Sequence, residues 1–231
     1  MSEVFYQGKN FKLKADSRDE ADQSVWNEIF KFKEYRAVES IIASAKFPIV
    51  DVGAHAGFFV LYARDLNPVV AIYALEPAPD NLEALRQNLR LNNINGVTIA
   101  PVALADHSGS RVLALMQDSH NHYLADENEE VEQGIKVSAL NLSDLLRQYG
   151  LEKISLLKMD IEGGEYEVVD NWSRKDFNKI ETIIMEYHNT RLRDYREIEE
   201  SLRQNGFGVQ IFPSKFDKTM GFLLANNKRI K

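Results

Sequence analysis

Apolar runs of strand length alternate with helical periodicity along most of this sequence, and this alternation constrains the fold more than any other feature. The runs at 47–52 and 69–76 are typical of buried strands, and residues 57–66 between them are predicted as a crossover helix. A second helix is predicted at 81–93, where leucines recur at three- and four-residue spacing. Such alternation predicts parallel βαβ units, and therefore an α/β fold with a doubly wound, mostly parallel sheet.

Later apolar runs extend the same pattern toward the C-terminus. Further strands are predicted at 97–104, 110–116, 135–139, 153–160 and 179–188. Further helices are predicted at 142–150, 164–172 and 191–206, with Ser143 as the expected N-cap of the first. The last two strands, 207–212 and 219–226, are separated by a short link and are expected to form an antiparallel hairpin.

Residues 1–46 precede the first core strand and include an amphipathic stretch at 26–42 that is predicted to be helical. We interpret residues 1–46 as an N-terminal helical cap of the same domain, whose core is residues 47–231. The sequence leaves open whether this cap only packs against the sheet or closes over a substrate. It also leaves open whether the polar, acidic loop at 117–134 contacts substrate.

The composition argues against several classes of protein. No apolar run approaches the ~20 residues of a membrane span, and the N-terminal residues are too polar for a signal peptide. The absence of cysteine excludes disulfides and thiolate metal sites, which favours a cytoplasmic location. A net charge of -7 argues against general nucleic-acid binding. The oligomeric state has no signal in the sequence.

Polar residues follow four of the predicted strands. In doubly wound sheets, ligands bind at the carboxyl ends of strands, near the point where the strand order reverses. The candidate ligand-binding positions are therefore 51–57 after the first strand, Glu76 after the second, and 160–164 and 186–188 after two later ones. Acidic residues occur at all four strand ends, so the sequence predicts a site that carries negative charge.

The loop after the first strand does not match a dinucleotide fingerprint. Read from Gly53, the G-x-G-x-x-G pattern would need glycine at His55 and Phe58. Asp51 would also repel a pyrophosphate, whereas it suits a ligand that carries an amino group. S-adenosylmethionine has that group and no phosphate, and Glu76 suits a ribose in either case. S-adenosylmethionine is therefore favoured over NAD as the cofactor.

Five segments together resemble the FkbM-type methyltransferases: VDVGAHAGFF, ALEPAPDNLEALRQNLRLNN, ALADHSGS, LLKMDIEGGEYEVV and IIMEYH. The resemblance implies a class I, Rossmann-like fold with a seven-stranded sheet, and O-methylation of a hydroxyl on a small-molecule or sugar-containing acceptor. Two alternatives remain: a protein that binds S-adenosylmethionine without turnover, and, less favoured, an NAD-dependent oxidoreductase.

The resemblance also implies a set of cofactor-binding residues. They are Asp51, Gly53, His55, Gly57, Phe58, Glu76, Pro77, Asn81, Ala103, Leu104 and Asp160. In the family the first loop commonly reads G-A-N-x-G, so His55 stands in place of an asparagine. Both side chains offer a short polar group, and glycine would be required only if the backbone there had a positive φ.

Lys158, Asp160, Glu186 and His188 are the predicted catalytic residues. Lys158 and Asp160 lie on one side of a strand, and Lys158 is expected to pair with Asp51 or Asp160, since a lysine in an apolar strand is costly unless paired. Glu186 and His188 could form a general base that deprotonates the acceptor. Alternatively, they could bind a divalent metal such as Mg²⁺ together with Asp160. The metal-free base is preferred.

Overall fold

The computed structural model describes residues 2–6, 9–13, 19–126, 129–214 and 217–230. Its strands are β1 (Ser2–Tyr6), β2 (Lys9–Leu13), β3 (Ile49–Val52), β4 (Ile72–Leu75), β5 (Val97–Ala100), β6 (Ala103–Leu104), β7 (Gly109–Ala114), β8 (Tyr123–Leu124), β9 (Gly134–Leu140), β10 (Ile154–Met159), β11 (Ile180–His188), β12 (Phe207–Pro213) and β13 (Met220–Asn227). Its α-helices are α1 (Asp19–Trp26), α2 (Glu39–Ser44), α3 (Phe58–Leu66), α4 (Pro79–Leu91), α5 (Leu142–Gln148), α6 (Glu165–Asp170), α7 (Arg174–Phe177) and α8 (Tyr195–Gln204).

A seven-stranded sheet with the order β12-β13-β11-β10-β3-β4-β5 forms the centre of the molecule. Neighbouring strands from β11 to β5 pair in parallel, whereas β13 pairs antiparallel with both β11 and β12. This confirms the predicted doubly wound, mostly parallel sheet with its C-terminal antiparallel hairpin. The chain order reverses at β3, which lies between β4 and β10, and this arrangement places a ligand crevice at the carboxyl end of β3.

Each face of the central sheet is covered by its own apolar cluster. Successive residues of a strand point to opposite faces, so Ile49 of β3 packs with α3 and the N-terminal segment. Its neighbour Val50 packs instead with residues of α5, α6 and α8. Because both faces are covered, the central strands are apolar throughout, as parallel strands generally are.

The predicted strand at 97–104 is in fact two strands that belong to different sheets. β5 is an edge of the central sheet, whereas β6 joins a second sheet with the order β6-β9-β7-β8. Pro101 stands between them, and a proline cannot donate a ladder hydrogen bond. The N-cap of α5 is Asn141 rather than Ser143, because the Asn141 side chain accepts from the Asp144 backbone amide at 2.8 Å.

The stretch at 26–42 is not one continuous helix. After α1, the chain forms a π-helix (Asn27–Lys31), a 3₁₀-helix (Glu34–Val38) and then α2. Lys33 interrupts the helical path with a left-handed φ of 57°. β1 and β2 pair as an antiparallel hairpin ahead of these helices, which the sequence analysis did not predict. Among the residues that the structure describes, no helix combines the length and the apolar character that a bilayer crossing requires.

Candidate active site

A cavity of about 760 Å³ opens at the carboxyl ends of β3, β4, β10 and β11. Its volume lies within the range of roughly 300–1,000 Å³ that is usual for small-molecule sites. Residues of the N-terminal segment, of the loop before β8 and of the β12–β13 hairpin complete its wall. The cap and the acidic loop, whose roles the sequence left open, therefore both contribute to this cavity.

Most of the residues that the sequence singled out line this cavity. The lining includes Gly53, His55, Phe58, Glu76, Pro77, Asn81, Ala103, Leu104, Lys158, Asp160, Glu186 and His188. Asp51 and Gly57 are not part of the lining. Asp51 has no exposed surface, and Gly57 is the residue before α3, where a Cβ would lie 2.3 Å from Leu85 Cδ1. These two residues support the wall of the cavity from behind.

In the loop after β3, every second residue from 53 to 57 has a positive φ. Gly53, His55 and Gly57 have φ values of 75°, 47° and 85°. The sequence analysis made glycine necessary at position 55 only if the backbone there had a positive φ, and the structure shows a positive φ that is occupied by histidine. Histidine and asparagine are among the residues that adopt the left-handed conformation more readily than most, which explains how His55 is accommodated without glycine. A Cβ on Gly53 would lie 1.9 Å from the backbone oxygen of Asp160, so that position does require glycine.

Glu76 connects the first two loops of the cavity. Its Oε2 accepts from the backbone amide of His55 and its Oε1 from that of Ala78, both at 2.8 Å. Burial raises the pKa of Glu76 to about 7 despite these hydrogen bonds. Nε2 of His55 lies 2.9 Å from the Ser119 hydroxyl, and Asn81 donates to the Ser119 carbonyl at 3.1 Å. His55 and Asn81 thus both hold the Ser119 loop in place at the edge of the cavity.

Lys158 forms the floor of the cavity between β3 and β10. Its Cα is in register with that of Asp51, and its Nζ lies 3.2 Å from Asp51 and 3.8 Å from Asp160. It also donates to the Gly53 carbonyl at 2.8 Å. Burial alone would lower the pKa of Lys158, but the two carboxylates raise it. The expected pairing of Lys158 with these aspartates is present in the structure.

Asp160, Glu186 and His188 converge at the acceptor end of the cavity, which we define as the end beside β11. Each of them offers one oxygen or nitrogen atom that lies within 4.8 Å of the other two. The His188 ring is held from behind by two glutamates, with Nδ1 3.4 Å from Glu165 and Nε2 3.5 Å from Glu162.

Glu165 is a residue whose contact with His188 the sequence analysis missed. It has no exposed surface, although it is the first residue of α6, and its Oε1 accepts from the Ile161 and Gly163 backbone amides at 3.2 Å. A carboxylate at a helix start is ordinary, because it complements the helix dipole. The sequence pattern therefore gave no reason to place Glu165 against His188.

These contacts determine the protonation of the acceptor end. Burial alone would lower the pKa of His188, but Glu165 and Glu162 raise it to about 10. Burial, followed by the charge of Asp160, raises the pKa of Glu186 to about 9. Near neutral pH, His188 is therefore an imidazolium and Glu186 is a neutral acid. Binding of a metal ion through His188 would therefore release the proton from the nitrogen that the metal uses.

Comparison with known protein families gives a match over most of the chain. The family described as the methyltransferase FkbM domain matches residues 51–209. The methyltransferase sdnD of Sordaria araneosa is 30% identical over 192 residues, which cover 70% of this chain and 73% of that protein. The 31-O-demethyl-FK506 methyltransferase FkbM of Streptomyces tacrolimicus is 27% identical over 190 residues, which cover 70% of this chain and 72% of that one.

The fold is also found among solved methyltransferase structures. Magnesium protoporphyrin IX methyltransferase from Synechocystis PCC 6803, solved with bound S-adenosylmethionine, superposes with a TM-score of 0.50. The alignment covers 94% of this chain and 86% of that one, at 10% sequence identity. At this level of identity the likeness concerns the fold alone.

Proposed function

This chain belongs to the methyltransferase FkbM domain family, and from that premise we propose that it transfers a methyl group from S-adenosylmethionine to a hydroxyl of a small-molecule or sugar-containing acceptor. The observation that carries the proposal is the cavity itself. It lies at the reversal point of the sheet, with Glu76 near β4 and the Asp160, Glu186 and His188 side chains near β10 and β11.

The residues of the cavity suit this cofactor. Both oxygens of Glu76 are fixed by one backbone amide each, which leaves lone pairs that can accept from ribose hydroxyls. Ala103 and Leu104 offer apolar contact to an adenine, and Asp160 offers negative charge to a cationic group. When bound, S-adenosylmethionine would supply a methyl group that is activated by its attachment to a sulfonium sulfur. That sulfur is the leaving group and becomes a neutral thioether.

The buried position of Asp51 changes one of the arguments for this cofactor. Because its carboxylate does not line the cavity, it cannot repel a pyrophosphate there by direct contact. The preference for S-adenosylmethionine over NAD rests instead on family membership and on the carboxylates that do line the cavity. Family membership also favours turnover over the non-catalytic alternative.

Asp160 is the side chain that we assign to proton removal. Its side chain is 28% exposed and lines the cavity, while Lys158 lies 3.8 Å away and stabilises the carboxylate. With cofactor and acceptor bound, the Asp160 carboxylate would receive the proton that the acceptor hydroxyl loses. His188 carries its own proton near neutral pH, and its two ring nitrogens contact Glu165 and Glu162, so we assign it to holding these glutamates in place rather than to the role of base.

The test of the proposed function is calorimetry with S-adenosylhomocysteine and NAD in parallel. We expect binding of S-adenosylhomocysteine and none of NAD. Glu76→Gln should weaken that binding by roughly ten- to a hundredfold, because a hydrogen bond to a charged group contributes about 1.5–3 kcal/mol. Glu152→Gln, in an exposed position away from the cavity, is the matched control. Unchanged affinity for S-adenosylhomocysteine in a folded Glu76→Gln variant would contradict the assignment of Glu76 to the ribose. Once cofactor binding is demonstrated, a screen of hydroxylated compounds with labelled cofactor identifies the acceptor.

A further inference from the structure

Two glutamates on the wall of the cavity have no hydrogen bond or ion pair with any residue in the described part of the chain. Glu34 is the first residue of the 3₁₀-helix in the N-terminal segment, and Glu186 lies on β11, two residues before His188. Both lie close enough to Asp160 for their charges to interact with it. The acceptor end of the cavity thus brings together three carboxyl groups from the N-terminal segment, β10 and β11.

The cationic side chains nearby are already paired elsewhere. Lys158 lies between Asp51 and Asp160, and it donates to a backbone carbonyl as well. His188 contacts Glu162 and Glu165 through its two ring nitrogens. Neither of these cations lies within ion-pair distance of Glu34 or Glu186, so the side-chain oxygens of both glutamates remain available to a ligand.

Tyr35 provides a second and independent sign of a ligand at this wall. It is only 4% exposed, and its ring packs edge-on against Phe59 at 4.9 Å and Phe222 at 5.6 Å. Phe222 is the cross-strand neighbour of Glu186, so Tyr35 and Glu186 share one side of the cavity. The Tyr35 hydroxyl has no hydrogen bond to any residue that the structure describes, and Tyr35 lines the cavity, so this hydroxyl is available to a ligand.

The nucleoside part of the cofactor does not account for this wall. Glu76, the proposed ribose ligand, follows β4, and the strands β3 and β10 separate β4 from β11. Three strand spacings correspond to about 14 Å, so Glu186 lies well away from the ribose end. Glu34 and Tyr35 lie beside the β11–β13 edge of the cavity together with Phe222. This wall therefore faces the acceptor rather than the nucleoside.

We propose that the acceptor carries a protonated amino group, which binds between Glu34, Glu186 and the Tyr35 hydroxyl while its hydroxyl group reaches Asp160. The inference rests on the proposed function, because it takes this end of the cavity as the acceptor site. An ammonium group has three N–H donors, and the two glutamates and the phenol oxygen supply three acceptors. The charge of the bound ammonium favours the ionised form of Glu186 over the neutral acid of the ligand-free protein. The substrate class is then a hydroxylated amine, such as an amino sugar or an amino alcohol.

The experiment uses pairs of probes that differ in charge but share a skeleton. Tyramine, glucosamine and 3-amino-1-propanol are each compared with their N-acetyl derivatives in titrations of the full chain saturated with S-adenosylhomocysteine. At least one amine should bind tenfold or more tightly than its neutral counterpart, since hydrogen bonds to charged groups contribute that much or more. Glu34→Gln should remove most of this preference.

Two further variants keep the test specific. Tyr35→Phe retains the ring that packs on Phe59 and Phe222, and it should weaken amine binding several-fold without changing the affinity for S-adenosylhomocysteine. Glu152→Gln removes one negative charge at an exposed position and should leave the preference for amines unchanged. A preference for amines that falls equally in Glu34→Gln and Glu152→Gln would reflect net charge alone and would overturn the inference.

The outcomes distinguish this inference from the proposed function. If the chain does not bind S-adenosylhomocysteine, the proposed function fails and the inference fails with it. If S-adenosylhomocysteine binds but no amine is preferred over its N-acetyl derivative, including the case in which no probe binds, only the inference is overturned. Binding of Mg²⁺ or Mn²⁺ that excludes the amines and is lost in Glu186→Gln would assign these carboxylates to a metal and would also overturn it.

Discussion

Among single residues, Asp160 and His188 are the two candidates for the base that receives the acceptor proton. Glu165 and Glu162 raise the pKa of His188 to about 10, so a reaction that used His188 as its base would accelerate steadily from pH 7 toward pH 10. If Asp160 is the base, kcat/KM for an acceptor found in the screen should show no rise through that range. Asp160→Asn should abolish turnover while binding of S-adenosylhomocysteine persists. Full activity of Asp160→Asn would refute the assignment, and inhibition by a chelator that Mg²⁺ reverses would restore the metal alternative.

His55 gives a second prediction at this scale, which depends on its backbone rather than on its basicity. With a φ of 47°, the position suits asparagine and penalises most other side chains. His55→Asn should leave the free energy of unfolding within about 1 kcal/mol of the wild type and retain cofactor affinity. His55→Leu should lose roughly 1–3 kcal/mol through strain in this conformation. Chemical denaturation of both variants measures the difference, and equal stability of the two would show that the conformation imposes no such selection.

The residues of the site could be predicted from the sequence to the extent that they lie at strand ends. Glu76, Asp160 and Glu186 each end or follow a recognisable apolar run, so their arrival at one edge of the sheet follows from the parallel topology. The partners of those residues could not be predicted in the same way. Glu165 and Tyr35 reach the site through the path of a loop and of an irregular segment, and neither path has a periodic signature in the sequence.

At the scale of elements, the N-terminal segment packs as part of the core. Trp26 stacks on Phe30 with ring centroids 3.7 Å apart, and Phe30 contacts Tyr62 of α3 edge-on at 5.6 Å. Phe30→Ala should therefore destabilise the whole molecule by roughly 3–5 kcal/mol, in a single cooperative transition followed by denaturation. Phe32→Ala is the matched control, since Phe32 in the same segment is 66% exposed. An unchanged main transition in Phe30→Ala would indicate a detachable lid instead of an integral cap.

Helices and strands could be predicted from the sequence where the apolar periodicity and the length of a segment both indicated the same type of element. The central strands and the helices α3, α4 and α8 lie within two residues of the predicted bounds at most ends, because each presents a clear apolar face. The prediction of one helix at 26–42 was wrong for a local reason. Its apolar residues recur at helical spacing, but the left-handed turn at Lys33 divides it, and neither glycine nor proline marks that turn in the sequence.

At the scale of the whole molecule, the active site imposes an electrostatic cost that the rest of the fold must offset. Burial raises the pKa of Asp51 to about 6 and that of Glu76 to about 7. Burial, followed by the charge of Asp160, raises the pKa of Glu186 to about 9. Each of these groups would ionise more readily in the unfolded chain. At pH values between the unfolded and the folded pKa of each group, the ligand-free folded protein therefore binds more protons than the unfolded chain. A bound cation would lower the cost of ionising these groups.

The last prediction follows from the sign of these shifts. Glu186 ionises near pH 4.5 when unfolded and near 9 when folded, so its contribution to stability is complete below pH 4.5 and is lost as the pH rises through 9. The pKa of His188 is raised from 6.5 to about 10, so its contribution to stability is also lost with rising pH, over a higher pH range. The free energy of unfolding of the ligand-free protein should therefore fall between pH 5.5 and 8.5, as measured by urea denaturation at constant ionic strength. Glu186→Gln cannot ionise and should show a shallower fall, whereas Glu152→Gln should retain the wild-type slope. A stability that rises over this range would mean that the acidic wall is neutralised in the folded protein, contrary to the geometry of the site.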